Sequence, residues 1–322
     1  YKQAHLPRAE DALSKVLALV PDDVESKYYL GLAKLDQGKP DALDTLKSVS
    51  GDVRFTHLAK YAIALETLKS GDAKAAVEIL KEAGTGWSND VVLWDTLAVA
   101  ARLAGDAATA SAALAAALSA EPLDPFASTE KLVAAGTPSP EAIQSALGAD
   151  DDLYAETAFF YDSINQPAPA FQVAQAGKGR ATSGLYHYYL AWFAARAGDE
   201  AAAKESLAAA DAAGTDYVFP HRREDVAVMK NASALGANAG LAEYHTATLT
   251  YARAAAAGAL ELWQSLVGKY DLPGIRRKVA DAYYRGRVVR DMDANIEMYR
   301  KALAETPNDV EIYYALDNLY ET

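Results

Sequence analysis

The chain has 322 residues, a formal net charge of −13 at pH 7, 51% hydrophobic residues and no cysteine. The missing cysteines exclude disulfides, thiolate metal sites and cysteine nucleophiles, and the negative charge argues against binding to nucleic acid or anionic membranes. No segment has the sustained apolar character of a membrane span, so we predict no membrane insertion. Alanine is abundant and strand-like alternation is nearly absent, which favours an all-α fold.

The first third of the chain repeats one pattern, in which an apolar helix ends at a glycine and a second helix begins with alanines. Gly71 follows Gly38 by 33 residues, and Gly105 follows Gly71 by 34. We predict that the chain starts with the second helix of a hairpin, without its first helix, and that two complete helical hairpins follow. The residues that mark these elements are Ala9, Leu13, Val16, Pro21, Leu30, Gly31, Ala42, Ile63, Ala64, Ala76, Leu80 and Ala83.

The most regular repeat runs from about 91 to 124. Its marker residues are Trp94, Leu97, Ala98, Ala110, Leu114, Ala117 and Pro122. Small residues let the two helices of a hairpin approach closely, leucines fill the space between them, and Pro122 ends the second helix. These residues and their spacing resemble the tetratricopeptide repeat family, which implies a right-handed superhelical solenoid of about eight helix-turn-helix repeats.

The rest of the chain follows the pattern less closely. Asn165 and Gly198 occupy turn positions, and Tyr299, Ala302 and Pro307 end the last complete repeat. We predict a regular array over 1–122, a proline-containing insertion over 123–153, and a degenerate array over 154–322. Because a half-repeat stands at each end, we expect a piece of a longer polypeptide. The segments "DPF" and "FPHRRE" are similar to C-terminal arrays behind a sugar-handling-like β-sandwich domain of unknown function in large bacterial chains.

The family resemblance implies that certain side chains of the first helices point into a concave groove. Aromatic residues and arginines there suit the anchoring of a partner. The alternative is that they only pack between neighbouring repeats. The residues selected in this way are Tyr28, Tyr61, Phe159, Asp162, Tyr188, Trp192, His245, Arg277 and Tyr284, with Arg196 and Arg285 adjacent.

Charged residues support two further expectations. A group of basic residues in the C-terminal third either forms an anion-binding patch or pairs with nearby acids on a solvated surface. Its members are Arg222, Arg223, Arg276, Arg277, Lys278, Arg285, Arg287 and Arg290. The family's carboxylate clamp for chaperone tails requires Lys and Asn at positions that hold Tyr28 and Leu32, Tyr61 and Leu65, or Asp95 and Val99 here. The clamp is therefore absent. No catalytic, metal or cofactor motif is present, so we predict no catalytic residue, metal or cofactor.

These observations predict a non-catalytic protein–protein interaction scaffold whose partner is another protein or a domain of the same parent chain. Two alternatives stay open. One is the accessory part of a larger carbohydrate-active enzyme whose catalytic domain precedes Tyr1 or is a partner chain. The other is direct binding of a peptide or sugar in the aromatic groove. Compartment and oligomeric state are not predicted.

Overall fold

The computed structural model describes residues 6–136, 138–179, 183–214, 218, 220–222, 224–252, 256–267, 269–270, 274–286 and 292–321; the side chains of 239, 251–252, 256–258 and 282–286 are not described. The chain divides into two compact units, 1–177 and 178–322. The described residues form helices joined by turns, and the helices pack in neighbouring pairs. The all-α fold and the predicted pairing of neighbouring helices into hairpins are confirmed.

Unit 1 is a stack of helical hairpins. Its helices are α1 (Leu6–Leu19), α2 (Val24–Asp36), α3 (Ala42–Lys47), α4 (Val53–Lys69), α5 (Ala73–Ala83), α6 (Val91–Ala104), α7 (Ala107–Ala120), α8 (Pro125–Ala134), α9 (Pro140–Leu147), α10 (Asp151–Ser163) and α11 (Pro167–Gly177). Each pair from α4–α5 to α10–α11 packs as a hairpin, and α5 also packs on α6 of the next pair. Stacking thus covers the apolar face that one hairpin leaves open.

Unit 2 contains two regular hairpins and several less regular helices. Its helices are α12 (Gly184–Arg196), α13 (Glu200–Ala213), α14 (Asp225–Ala234), α15 (Ala239–Ala252), α16 (Ala256–Leu266), α17 (Ile275–Gly286), α18 (Met292–Glu305) and α19 (Val310–Tyr320). The pairs α12–α13 and α15–α16 pack closely, and α14 lies against both α12 and α15. The extra helix α14 explains why the sequence pattern fails between the two hairpins.

Aspartates begin most of these helices. Asp52, Asp72, Asp90 and Asp106 each accept a hydrogen bond from the backbone N–H three residues later, at 2.9–3.0 Å. This contact satisfies one of the free N–H groups of the first turn and places negative charge at the positive end of the helix dipole. Many of the acidic residues of the chain therefore cap helix N-termini.

The turn glycines have the backbone conformation that the pattern predicts. Gly38, Gly71, Gly105 and Gly198 all have positive φ, from 66° to 94°. Asn165, predicted to occupy the equivalent turn, has φ 59° and is the one non-glycine residue with positive φ in the described part of the chain. Asn tolerates this region because its short polar side chain can hydrogen-bond locally. The turn assignments are confirmed.

The segment predicted to be an insertion continues the stack instead of interrupting it. Pro125 and Pro140 are the first residues of α8 and α9, which pack together as a hairpin, and α9 also packs on α11. Proline suits the first helical position because its missing N–H would have no partner there and its φ is already helical. The boundary between the two compact units falls at 177–178.

Substitution of Gly105 tests how much the turn conformation contributes to stability. A Cβ at this position would meet nothing within 4 Å, so the effect comes from the backbone alone. We expect Gly105→Ala to lower the free energy of unfolding by roughly 1 kcal/mol, and Gly105→Asn by less. Urea denaturation followed by circular dichroism measures both changes. Equal losses for the two variants would contradict this account of the turn.

Candidate functional site

The predicted groove residues of unit 1 have different surroundings. Tyr28 is half-buried, and its ring centroid lies 5.7 Å from that of Phe55. The hydroxyl groups of Tyr61 and Thr96 are 3.0 Å apart, so this tyrosine joins α4 to α6. Phe159 is buried, whereas Asp162 is partly exposed. Tyr28 and Asp162 are therefore partly exposed, and Phe159 contributes mainly to packing.

In unit 2, two of the predicted groove residues form a buried pair. Tyr188 and His245 are both fully buried, and their ring centroids are 5.7 Å apart with an interplanar angle of 70°. Tyr244 contacts the same imidazole at 5.4 Å. Among the described residues, the hydroxyl of Tyr188 and both ring nitrogens of His245 have no hydrogen-bond partner of normal geometry. In this arrangement neither side chain is accessible to a partner in a groove.

The other predicted residues of unit 2 lie nearer to solvent. The Arg196 guanidinium lies 5.5 Å from the ring centroid of the half-buried Trp192, which is a cation–π contact. Arg277 pairs with Asp309 and, at 3.7 Å, with Asp281. The side chains of Tyr284 and Arg285 lie outside the described residues.

Two arginines of the predicted patch have acidic partners. Arg276 pairs with Glu305, and Arg277 pairs with Asp309. In these pairs, acidic residues of the same unit neutralise the arginine charges. This agrees with the alternative in which the arginines pair with nearby acids on a solvated surface. Three other arginines of the predicted patch lie outside the described residues: Arg223, Arg287 and Arg290.

A buried polar cluster connects α6, α8 and α10. Glu130 is fully buried and accepts hydrogen bonds from Arg102 Nε at 2.5 Å and from the Tyr161 hydroxyl at 2.6 Å. Asp95 is 6% exposed, and its side chain shares a hydrogen bond with Asp124. Burial raises the pKa of Asp95 to about 8, and the nearby carboxylate of Asp124 adds to the shift.

Asp95 and Asp124 differ in the hydrogen-bond donors around them. Asp124 accepts two backbone N–H groups at the start of α8, from Phe126 at 3.3 Å and from Ala127 at 2.8 Å. Asp95 Oδ1 has no hydrogen-bond partner within the described part of the chain. The arrangement is a structural contact that keeps one carboxyl group neutral near pH 7.

An open cavity of about 380 Å³ lies where α4, the end of α5 and the α5–α6 connection meet. We call it the α4–α6 pocket. Residues that line it are Gly51, Asp52, Val53, Thr56, His57, Lys60, Glu82, Ala83, Thr85 and Trp87. Val53 is 78% exposed, and Trp87 is half-buried. Apolar and charged side chains thus surround a single concave surface of unit 1.

The wall of the α4–α6 pocket depends on one histidine. The imidazole of His57 stacks on the Trp87 indole, with ring centroids 4.2 Å apart and an interplanar angle of 15°. Its Nδ1 lies 2.9 Å from the carbonyl oxygen of Ala83, and its Nε2 lies 2.8 Å from Asp90 Oδ2. At the rim, Lys60 and Glu82 pair at 3.1 Å. The pocket therefore has an ordered aromatic wall and a charged edge.

The connection between α5 and α6 is held in place by its own hydrogen bonds. The Trp94 indole N–H donates to the carbonyl oxygen of Ser88 at 2.9 Å. The backbone N–H of Trp87 donates to the carbonyl oxygen of Gly84, and that of Asp90 donates to the carbonyl oxygen of Trp87, at 3.0 and 3.1 Å. Trp94 thus supports the loop that carries Trp87, in addition to its role in the repeat.

Sequence reasoning did not select His57, Trp87 or Val53. The signal that could have identified them is the connection at 84–90, which is longer than the connections between other hairpins at 48–52, 121–124 and 148–150. A tryptophan in such a polar connection indicates a surface with a role beyond chain reversal. Across the described ranges, no group of three or more His, Asp or Glu side chains is arranged to hold a metal ion. No helix in those ranges is long and apolar enough to cross a membrane.

Comparison with known proteins finds similar helical structures. The chain is similar to MamA, residue 41 to the end, from Desulfovibrio magneticus RS-1, with 23% identity over 51% of this chain and 96% of that chain and a TM-score of 0.28. It is similar to the TPR domain of P58(IPK), with 13% identity over 99% and 93% of the two chains and a TM-score of 0.27. A third similar structure is the human IFIT1 dimer with PPP-AAAA, with 16% identity over 99% and 69% and a TM-score of 0.37.

No family model and no curated protein matches the chain. At these identities and TM-scores, the similar structures carry no argument about function. The function must be argued from the described side chains themselves.

Asp95→Asn tests the neutral carboxyl group in unit 1. Because the folded-state pKa of Asp95 is about 8 and its ordinary value is 3.8, the stability that it contributes is present below pH 4 and is lost as the pH rises toward 8. The amide stays neutral, so the variant should lack this loss, which amounts to at most about 1.4 kcal/mol per pH unit. Urea denaturation at pH 5, 6, 7 and 8 measures the difference. Parallel stability curves for variant and wild type would count against a protonated Asp95.

His245→Leu tests the opposite pH dependence in unit 2. Burial lowers the pKa of His245 to about 4 from its ordinary 6.5, so its contribution to stability is present above pH 6.5 and is lost as the pH falls toward 4. We expect wild type to lose up to roughly 3 kcal/mol over this interval through His245, and the variant to lose less. Thermal denaturation from pH 4 to 7 measures the effect. His221→Ala, which changes an exposed histidine of the same unit, should behave like wild type.

Proposed function

We propose that this chain is a non-catalytic protein–protein interaction scaffold. Its partner would be another protein or a domain of the same parent chain, and unit 1 would bind it through the α4–α6 pocket. The observation that carries the proposal is the exposed apolar side chain of Val53 beside the half-buried Trp87 in a cavity of about 380 Å³.

The size and composition of the pocket support a protein partner. Its volume is at the lower end of the range of roughly 300–1,000 Å³ for ligand sites, which suits one or two apolar or aromatic side chains. Tryptophan contributes strongly to binding when it lies in a well-packed surface depression. Lys60 and Glu82 at the edge offer a cation and an anion that would orient the bound segment without adding much affinity.

Some of the predicted groove residues outside the pocket also offer contacts, each within its own unit. Tyr28 in unit 1, and Trp192 with Arg196 in unit 2, are accessible enough to contact a partner directly. Tyrosine, tryptophan and arginine supply rigid contact area and strong hydrogen-bond donors, which makes them common anchors in interfaces. We place them in a supporting role, because the α4–α6 pocket combines exposure with concavity.

No specific observation favours the two alternative functions. Direct binding of a peptide or sugar in the aromatic groove requires Tyr188, Trp192 and Tyr284 to contact the ligand together. Tyr188 is fully buried, and the side chain of Tyr284 lies outside the described residues. An accessory role in a carbohydrate-active enzyme has no supporting feature among the described residues.

Variants of the pocket test the proposed interface. Proteins retained by the chain from a lysate of its source are identified, purified and titrated against the chain by calorimetry. We expect Trp87→Ala and Val53→Asp to weaken direct binding by about tenfold or more. Val92→Asp is the matched control, because Val92 is an exposed valine in the first turn of α6 outside the pocket, and it should change binding less than twofold (about 0.4 kcal/mol).

Two results would refute the proposed interface. In the first, no retained protein binds the purified chain directly. In the second, the pocket variants bind a purified partner as tightly as wild type does. Circular dichroism of each variant shows whether its helices are intact. An aspartate in the first turn of a helix is compatible with that helix, because its negative charge lies at the positive end of the helix dipole.

A further inference from the structure

His57 directs both of its ring nitrogens at atoms that only accept hydrogen bonds. The carbonyl oxygen of Ala83 lies 2.9 Å from Nδ1, and Asp90 Oδ2 lies 2.8 Å from Nε2. A neutral imidazole has only one N–H and can satisfy only one of these acceptors. Both contacts are made together when the ring carries two protons.

The acceptor on the Asp90 side has a second structural task. Asp90 Oδ1 accepts the backbone N–H of Leu93 at 3.0 Å and so caps the start of α6. A carboxylate in this position is favoured by the helix dipole, which keeps it an acceptor. Asp90 therefore links the state of His57 directly to the beginning of α6.

Through these contacts His57 connects three elements around the α4–α6 pocket. It belongs to α4, contacts the last residue of α5 through Ala83, and contacts the residue before α6 through Asp90. It is 4% exposed, and Trp87 from the connection stacks on its ring. A change in the hydrogen bonds of this ring should therefore alter the position or environment of the indole that forms the pocket wall.

We propose that His57 is a proton-operated latch for the α4–α6 pocket. With two protons on the ring, the latch holds Ala83 and Asp90 together and keeps Trp87 stacked. When one proton leaves, an unprotonated nitrogen faces an acceptor, one of the two contacts is lost, and the connection that carries Trp87 loosens. The pocket is then complete at lower pH and loses its wall at higher pH. The latch itself does not depend on the proposed function. Only its effect on partner binding rests on the proposal that a partner binds in the α4–α6 pocket.

Other charged groups around the ring are already engaged. On α4, Asp52 caps the helix through the backbone N–H of Phe55 at 2.9 Å, and Lys60 pairs with Glu82 of α5 at 3.1 Å. At the start of α6, Asp90 is the charged group in direct contact with the imidazole. These groups line or border the same pocket, and Asp90 is the one whose substitution changes the latch most directly.

Nuclear magnetic resonance of the full chain tests the latch without any partner. Long-range ¹H–¹⁵N spectra of ¹⁵N-histidine report how many ring nitrogens of His57 carry protons between pH 5 and 9. The indole N–H resonance of Trp87, assigned with Trp87→Phe, reports the pocket wall. We expect two protonated nitrogens at the acidic end, one at the basic end, and a shift of the Trp87 resonance with the same midpoint. The latch would be overturned if His57 stayed a single neutral tautomer from pH 5 to 9. It would also be overturned if the Trp87 resonance did not shift when His57 changes its protonation.

Asp90→Asn separates the latch from helix capping. Asparagine can still cap α6, but its amide can donate to a neutral imidazole, so the Trp87 resonance should lose its pH response. The matched control is Asp106→Asn, which changes the residue that caps α7 in the same way at 3.0 Å, and it should titrate like wild type. An unchanged response in Asp90→Asn would refute the proposal. These NMR readouts need no partner, so the latch can be refuted while partner binding at the pocket persists. Equally, partner binding can be refuted while the NMR readouts support the latch.

Discussion

The fold depends on the close approach of neighbouring helices at small residues. Gly31 shows the constraint most clearly, because a Cβ there would lie 2.6 Å from Leu46 Cδ2. Ala98 is fully buried at the equivalent position of the α6–α7 hairpin. Close approach lets many weak dispersion contacts form along each pair of helices, although alanine itself buries little apolar area. An alanine-rich helix gains stability here from its neighbours, and the stacked hairpins follow from that need.

Acidic residues have two distinct uses in this molecule. Exposed aspartates at the helix starts satisfy backbone N–H groups, whereas Asp95 and Glu130 lie inside unit 1 and require specific partners. Burial of a carboxyl group is costly unless it is paired or neutral. Glu130 is paired with Arg102, and Asp95 is kept neutral. The net charge of −13 thus says little about the electrostatics of the interior.

Sequence patterns predicted the helices and turns well but did not select the residues of the α4–α6 pocket, for physical reasons. The turns at Gly105 and Asn165 could be predicted because positive φ restricts the residue type at each turn. The prolines of 123–153 were ambiguous, since proline both ends helices and begins them. Burial of Tyr188 and His245 depends on how α15 packs in unit 2, which no local pattern encodes. The contact of His57 with Asp90 joins residues 33 positions apart and could only be found once the hairpins were stacked.

The sequence separation of the side-chain contacts between stacked helices has a consequence for how the chain reaches this structure. The contacts His57–Ala83, Arg102–Glu130 and Tyr189–Asp225 span 26, 28 and 36 residues, about the length of one hairpin. Chain segments this short close quickly, because the entropy lost on closing a loop grows only slowly with its length. Each hairpin can therefore assemble soon after it leaves the ribosome and serve as the template on which the next one condenses.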